Sequence, residues 1–123
     1  MKKDLENILY SKYAEMFIEK DYPITHSTMA WGFSHGDGWF DLIDNLCESI
    51  QKHSKIKKEK DASYEDVVVH QVKSKWNSLR FYYSGGDEVI SNLVNFAENL
   101  SNVICEHCGS KETPDERCSC RYS

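Results

Sequence analysis

The stretch Val67-Val68-Val69-His70-Gln71-Val72-Lys73-Ser74-Lys75-Trp76-Asn77-Ser78-Leu79-Arg80-Phe81-Tyr82-Tyr83 decides the fold class. It opens on a β-branched run, continues with His70, Val72, Ser74 and Trp76 at every second position, and closes on Leu79-Arg80-Phe81-Tyr82-Tyr83. A period of two in branched and aromatic residues is the pattern of a half-buried strand. Two such runs joined at Asn77-Ser78 predict a β-hairpin. With that alternation, Gln71, Lys73 and Lys75 share a face with Arg80 and Tyr82. Such a face is either a solvated sheet surface or a binding surface for a phosphate-bearing ligand or an acidic partner.

The flanks of the hairpin read as helices. From Asp4 to Lys20, Leu5, Ile8, Leu9, Tyr13, Met16 and Phe17 recur at spacings of three and four, which predicts one amphipathic helix ended by Tyr22-Pro23. Residues from Ile24 to Phe33 read as extended or irregular. Gly36-Asp37-Gly38 then turns the chain into a second helix with Trp39, Phe40, Ile43, Leu46, Cys47 and Ile50 as its buried stripe. Asp37 is a natural N-cap there. Asp41 and Asp44 follow it, and Lys52, Lys55, Lys57, Lys58 and Lys60 crowd the far end, which suits the helix dipole at both ends. Asp61-Ala62-Ser63 breaks this helix. Beyond the hairpin, Ser84-Gly85-Gly86-Asp87 is a turn and cap for a third helix, with Ile90, Leu93, Val94, Ala97 and Leu100 apolar at helical spacing. The expected class is α+β: two N-terminal helices, a β-hairpin, a third helix and a C-terminal zinc-ribbon or knuckle-like tail. Residues 1–104 form the core and 105–123 a zinc-binding tail packed on it, as one domain overall.

That tail is Cys105-Glu106-His107-Cys108-Gly109, followed by Cys118-Ser119-Cys120, and it holds four of the five cysteines. Cys-x-x-Cys-Gly is a zinc knuckle: two intervening residues let both thiolates meet one tetrahedral ion, and the glycine supplies the turn. Zn2+ is therefore the expected cofactor, with Cys105, Cys108, Cys118 and Cys120 as ligands and a closed, structural role. In an oxidising compartment the same four thiols would instead pair as two disulfides; the knuckle spacing and the absence of a signal-peptide pattern favour zinc. Cys47 lies on a helix stripe and reads as an inert core thiol.

Composition narrows the function classes. The chain has 123 residues, 40% of them apolar, and a formal charge of −5. It is long enough for one modest core that a metal staple would support. An acidic balance argues against generic nucleic-acid binding, which needs a basic face to neutralise phosphates, and Glu106, Glu112, Asp115 and Glu116 crowd the knuckle itself. No apolar run approaches the length of a membrane span. A cytoplasmic protein that meets other proteins or small ligands is expected.

The block from Trp31 to Asp41 has two readings. It is either a loop packing Trp31, Phe33 and Trp39 around a glycine turn, or a ligand pocket in which aromatic rings stack on a base or sugar. His26, His35, Asp37 and Asp41 would have to converge for a metal-dependent hydrolase. Against a phosphate pocket stand the charges of Asp37 and Asp41 and the lack of any Walker or dinucleotide pattern. Packing is the favoured reading, and no residue is assigned as catalytic.

Trp31-Gly32-Phe33, Gly36-Asp37-Gly38-Trp39-Phe40-Asp41-Leu42-Ile43, Gln71-Val72-Lys73, Leu79-Arg80-Phe81-Tyr82-Tyr83 and Cys105-x-x-Cys108-Gly109 together resemble, in that order, a family of small zinc-ribbon-like proteins of bacteriophage genomes and prophages. The resemblance spans about 90 of the 123 residues, and the Gly-Asp-Gly-Trp-Phe-Asp block is its most specific part. The family's second half-site pairs a cysteine with a histidine after a longer glycine-rich loop. Cys118-Ser119-Cys120 departs from that, which leaves open whether His107 replaces one of the thiols. The resemblance implies a phage-type accessory protein in the host cytoplasm and transfers no activity. The expected function is a zinc-stabilised binding module, or an inhibitor of a host factor such as one of bacterial defence, with a host or phage protein as partner. The alternative is a nucleotide-sequestering protein or a metal-dependent phosphohydrolase built on the Trp31–Asp41 block. Candidate contact residues are Trp31, His35, Asp37, Trp39, Asp41, Lys73, Lys75, Arg80 and Tyr82.

Overall fold

In the computed structural model, which describes residues 1–23, 29 and 32–112, the hairpin forms as β2 (Val68–Lys75) and β3 (Ser78–Ser84). Gln71 pairs with Tyr82, Lys73 with Arg80 and Lys75 with Ser78, so the polar face predicted from the alternation is present. Val72 opposite Phe81 and Leu79 opposite Ser74 look the other way, into the core. The turn sits one residue earlier than expected. Trp76 and Asn77, not Asn77 and Ser78, are its central residues, with φ of 55° and 62°. Left-handed angles at both positions make a two-residue turn of the kind whose twist matches the strands. Asn suits such angles; a bulky Trp pays about 1–2 kcal/mol for them.

A short strand, β1 (Phe33–Ser34), adds in parallel to β2 and completes a three-stranded sheet in the order β1-β2-β3. A bulge at His70 interrupts the β2–β3 ladder between Val69 and Gln71. It leaves the His70 ring facing Glu19 at 2.9 Å on one side and Ser84 at 2.8 Å on the other.

The first helix is shorter than its apolar stripe. Helix α1 covers Lys3–Lys12, and a separate 3-10 turn covers Ile18–Asp21. The helix stops where Tyr13 takes a non-helical conformation and its hydroxyl donates to the Asp44 carboxylate (2.5 Å) and carbonyl (2.9 Å). The freed carbonyl of Met16 accepts the amide of Val69 at 2.8 Å. Periodicity ran on through residue 17 because Leu9, Tyr13, Met16 and Phe17 all bury, yet a sheet edge competes successfully for the backbone.

Helix α2 (Phe40–Lys60) and helix α3 (Glu88–Ser101) cover the core face. Asp87 caps α3 by accepting the Ile90 amide at 3.3 Å, as the sequence predicts. It also meets His53 of α2 at 2.9 Å, and that hydrogen bond holds the Asp87 carboxyl below the usual range. Helix α3 closes the outer edge of β3 through side chains. Ser101 Oγ accepts the Leu79 amide (2.8 Å) and Glu98 Oε2 accepts the Phe81 amide (3.0 Å). Those donors would otherwise offer an open edge to another chain.

The core joins Leu9, Phe17, Phe33, Trp39, Ile43, Ile50, Val69, Val72, Leu79, Phe81, Ile90 and Val94. The fold is thus mixed α+β, with three helices and a three-stranded sheet among the described residues. None of these helices is long and apolar enough to cross a membrane.

Candidate functional surfaces

Two regions carry the candidate residues: the Gly-Asp-Gly turn with the knuckle, and the polar face of the hairpin. In the first, the turn and the knuckle are one packed unit. The Gly38 amide donates to the Glu106 carbonyl at 2.7 Å. A β-carbon on Gly38 would lie 2.2 Å from the Cys105 carbonyl oxygen and 2.4 Å from the Gly109 nitrogen; one on Gly36 would lie 2.4 Å from the Glu106 oxygen. Neither contact is with a side chain that could swing away. The glycines are there because backbone meets backbone.

Around that contact Glu106, Trp39 and Asp37 find their partners within the fold. Glu106, buried, accepts the Gly36 amide at 3.2 Å and the Ser74 hydroxyl at 2.9 Å, tying the knuckle to both the turn and β2. Trp39 is fully buried, and its indole Nε1 donates to the Ile104 carbonyl at 2.9 Å. Asp37 does not cap α2, which begins after a 3-10 turn (Asp37–Trp39) without a side-chain cap. Its carboxylate instead accepts the Lys2 amide at 2.7 Å and lies 3.8 Å from the Lys2 ammonium. Asp41 is exposed one turn further on.

The knuckle itself is a short reversal. Ile104 bridges to Lys111, the Cys105 amide donates to the Ser110 carbonyl at 2.8 Å, and the Gly109 amide donates to the Cys105 carbonyl at 2.8 Å. Gly109 has φ of +80°, which a glycine adopts without strain. Cys105 is buried and Cys108 exposed, with Cys108 Sγ 3.1 Å from Ser110 Oγ. Trp31, His26, Cys118 and Cys120 lie outside the described residues. Among the described residues no three His, Cys, Asp or Glu side chains converge as a metal site. Cys47 is wholly buried, which pushes its thiol well above the ordinary range.

His35 is packed between the rings of Phe33 and Trp39, at 5.8 and 5.4 Å. Its Nδ1–H donates to the Gly36 carbonyl at 2.7 Å, leaving a buried Nε2 with no hydrogen-bond partner among the described residues. Burial pushes the imidazole down to about 4 from 6.5, against the opposing effect of the Gly36 bond. Between those values the unfolded chain binds more protons here than the folded one. Stability from this site is therefore full above pH 6.5 and is lost as pH falls towards 4, by about 2 kcal/mol at pH 5. Urea melts at pH 7 and pH 5 check this: His35→Gln is expected to lose that much less than wild type between the two.

The second region is different in kind. On the polar face of the hairpin, Lys73, Lys75 and Arg80 form no ion pair among the described residues, and the two strands place no carboxylate there. The Arg80 guanidinium is steadied by the Ser78 hydroxyl (3.2 Å) and the Leu79 carbonyl (3.3 Å). Lys73 Nζ stands 5.8 Å from the centre of the Tyr82 ring, which is itself exposed. His35, Asp37 and Trp39 are thus gathered with the knuckle, while Lys73, Lys75, Arg80 and Tyr82 are gathered on the sheet.

Three structural residues gave no clear sequence signal. Glu6, buried, accepts the Phe33 amide at 3.0 Å and lies where a Gly32 side chain would be; Glu106 and Ser101 hold backbone amides as described. Each looked like an ordinary surface residue of a helix or turn. Trp76 was read as a strand residue and proves to be the exposed tip of the hairpin. No family model, curated protein or solved structure matches the chain.

Proposed function

We propose that this protein is a non-enzymatic binding module that presents the basic face of its β2–β3 hairpin to an anionic partner. The observation that carries this reading is the set of three cations, Lys73, Lys75 and Arg80, on one sheet face, which among the described residues form no ion pair with a carboxylate. In a chain of net charge −5, an unpaired basic patch is a local departure that contributes little to folding and much to recognition. Among the other candidate residues, Trp39 and His35 are buried in the fold, and Asp37 is bonded to Lys2.

Zinc belongs to this proposal as a staple. The reversal at Cys105–Gly109, with a left-handed glycine and the 5→1 bond from Gly109 to Cys105, suits a knuckle, and Cys105, Cys108, Cys118 and Cys120 would hold the ion. Bound there, it would supply folding energy to a small domain. The sequence resemblance to phage and prophage proteins supplies the setting, an accessory protein acting on a bacterial host factor.

A pull-down from bacterial lysate, analysed for proteins and for nucleic acids, tests the surface. Wild type is expected to retain a partner that the Lys73→Glu/Arg80→Glu variant, folded by circular dichroism, does not. Identical retention by both would remove the hairpin face from the account.

A further inference from the structure

We propose that the β2–β3 hairpin binds single-stranded nucleic acid, with Trp76 and Tyr82 as stacking platforms and Lys73, Lys75 and Arg80 as phosphate contacts. This rests on the reading that the hairpin face is the contact surface, and it names the class of partner.

The first observation is Trp76. It is 86% exposed, the most exposed large hydrophobic side chain among the described residues, and it occupies a left-handed position of a two-residue turn. Asn, Asp or Gly would serve that turn better. Trp76 therefore costs the fold backbone strain and leaves an indole in water, and no packing among the described residues offsets either. A residue in a disfavoured conformation with nothing to hold in the fold points to a role outside it.

The second observation is the make-up of the neighbouring face. Paired residues and the strand alternation place Ser34, Gln71, Lys73, Lys75, Ser78, Arg80 and Tyr82 together. Over this stretch they are cations, one aromatic, an amide and hydroxyls; the face ends at Val68 opposite Ser84, where His70 bonds both the Ser84 hydroxyl and the Glu19 carboxylate. The centre of a protein–protein interface is depleted in lysine and enriched in apolar area, which this face is not. Single-strand binders combine a basic track with aromatic rings on which bases stack, and add polar groups that reach base edges. Tyr82 is 43% exposed beside Lys73, and Arg80 is ordered by Ser78 and Leu79. The chain's overall acidity disfavours a duplex wrapped on a broad basic surface, but among the described residues no carboxylate pairs with these three cations. A flexible single strand can lie along one hairpin.

The test is fluorescence anisotropy with a labelled oligothymidylate of about 20 nucleotides, a size that covers one such module. With three phosphate contacts, log affinity against log salt should fall with a slope of about −2, so that affinity drops about 20-fold from about 50 to about 200 mM salt. Lys75→Ala, which removes an exposed cation, should shallow the slope to about −1.4. Trp76→Ala should weaken binding about tenfold at unchanged slope, and Trp76→Phe should restore most of it.

Absence of binding at the lower salt, equal affinity of Trp76→Ala and wild type, or tighter binding of the matching duplex would each overturn the inference. Polyglutamate is the second probe. If it binds through Lys75 and Arg80 while oligothymidylate does not, the single-strand inference fails and the anionic-partner reading of the face stands. If neither binds, both fail.

Discussion

Gly38→Ala is expected to undock the knuckle from the body of the protein and to cost about 3 kcal/mol or more. The added methyl would sit 2.2 Å from the Cys105 carbonyl oxygen, 2.4 Å from the Gly109 nitrogen and 2.8 Å from the Cys108 nitrogen. Overpacking against side chains costs about 1–3 kcal/mol because they can give way. Here all three neighbours are backbone of a tight reversal, so the turn and the knuckle must separate. Separation also loses the 2.7 Å bond from the Gly38 amide to the Glu106 carbonyl and exposes the Glu106 carboxylate network. Urea denaturation checks the magnitude, and hydrogen exchange at Gly38, Cys105 and Gly109 checks the location. A variant within 1 kcal/mol of wild type, with those amides still protected, would show that the contact is not tight. Gly36→Ala should behave alike but more mildly, since its nearest conflict is at 2.4 Å with a single carbonyl.

Trp39→Ala should be worse still, at about 4 kcal/mol, the cost of truncating a large buried aromatic. Trp39 is the largest fully buried side chain among the described residues, lies tilted against His35 with ring centres 5.4 Å apart, and fastens the residues before the knuckle through its bond to the Ile104 carbonyl. Small domains have only about 5–15 kcal/mol in total, so this variant is expected to be partly unfolded at 37 °C. Trp39→Phe separates the two roles. It keeps most of the packing and removes the donor to Ile104, and should cost about 1–2 kcal/mol. Thermal melts of the three proteins give the ranking; a Trp39→Ala protein as stable as Trp39→Phe would mean that the indole fills no structural gap.

The hairpin, its polar face and the α3 cap were legible because strand periodicity and the Asp87 cap depend on residues close in sequence. What was not legible depended on distant backbone. Nothing near Tyr13 ends a helix; it ends there because Asp44 and the Val69 amide compete for the following residues. Asp37 has the composition of an N-cap and serves Lys2 instead, since the knuckle fills the space beside the turn. The turn at Trp76-Asn77 was misplaced by one residue because tryptophan is a poor turn former, and local preference pointed to Asn77-Ser78. Ser101 and Glu98 act on an edge strand that no local pattern reveals. The glycines of Gly-Asp-Gly announced a turn, but their partner, the knuckle backbone some seventy positions away, appears only in three dimensions.

The proposed division of labour, with the knuckle and Gly-Asp-Gly turn holding the structure and the hairpin face left for contact, depends most on the tail being a metal staple. The direct measurement is the zinc content of the purified protein together with its melting temperature before and after chelation. The expected result is about one zinc per chain, with chelation lowering the melting temperature by about 10 °C or more. Cys108→Ser should bind less metal and melt lower without chelator. A zinc-free protein that melts at the same temperature with and without added zinc would contradict the account.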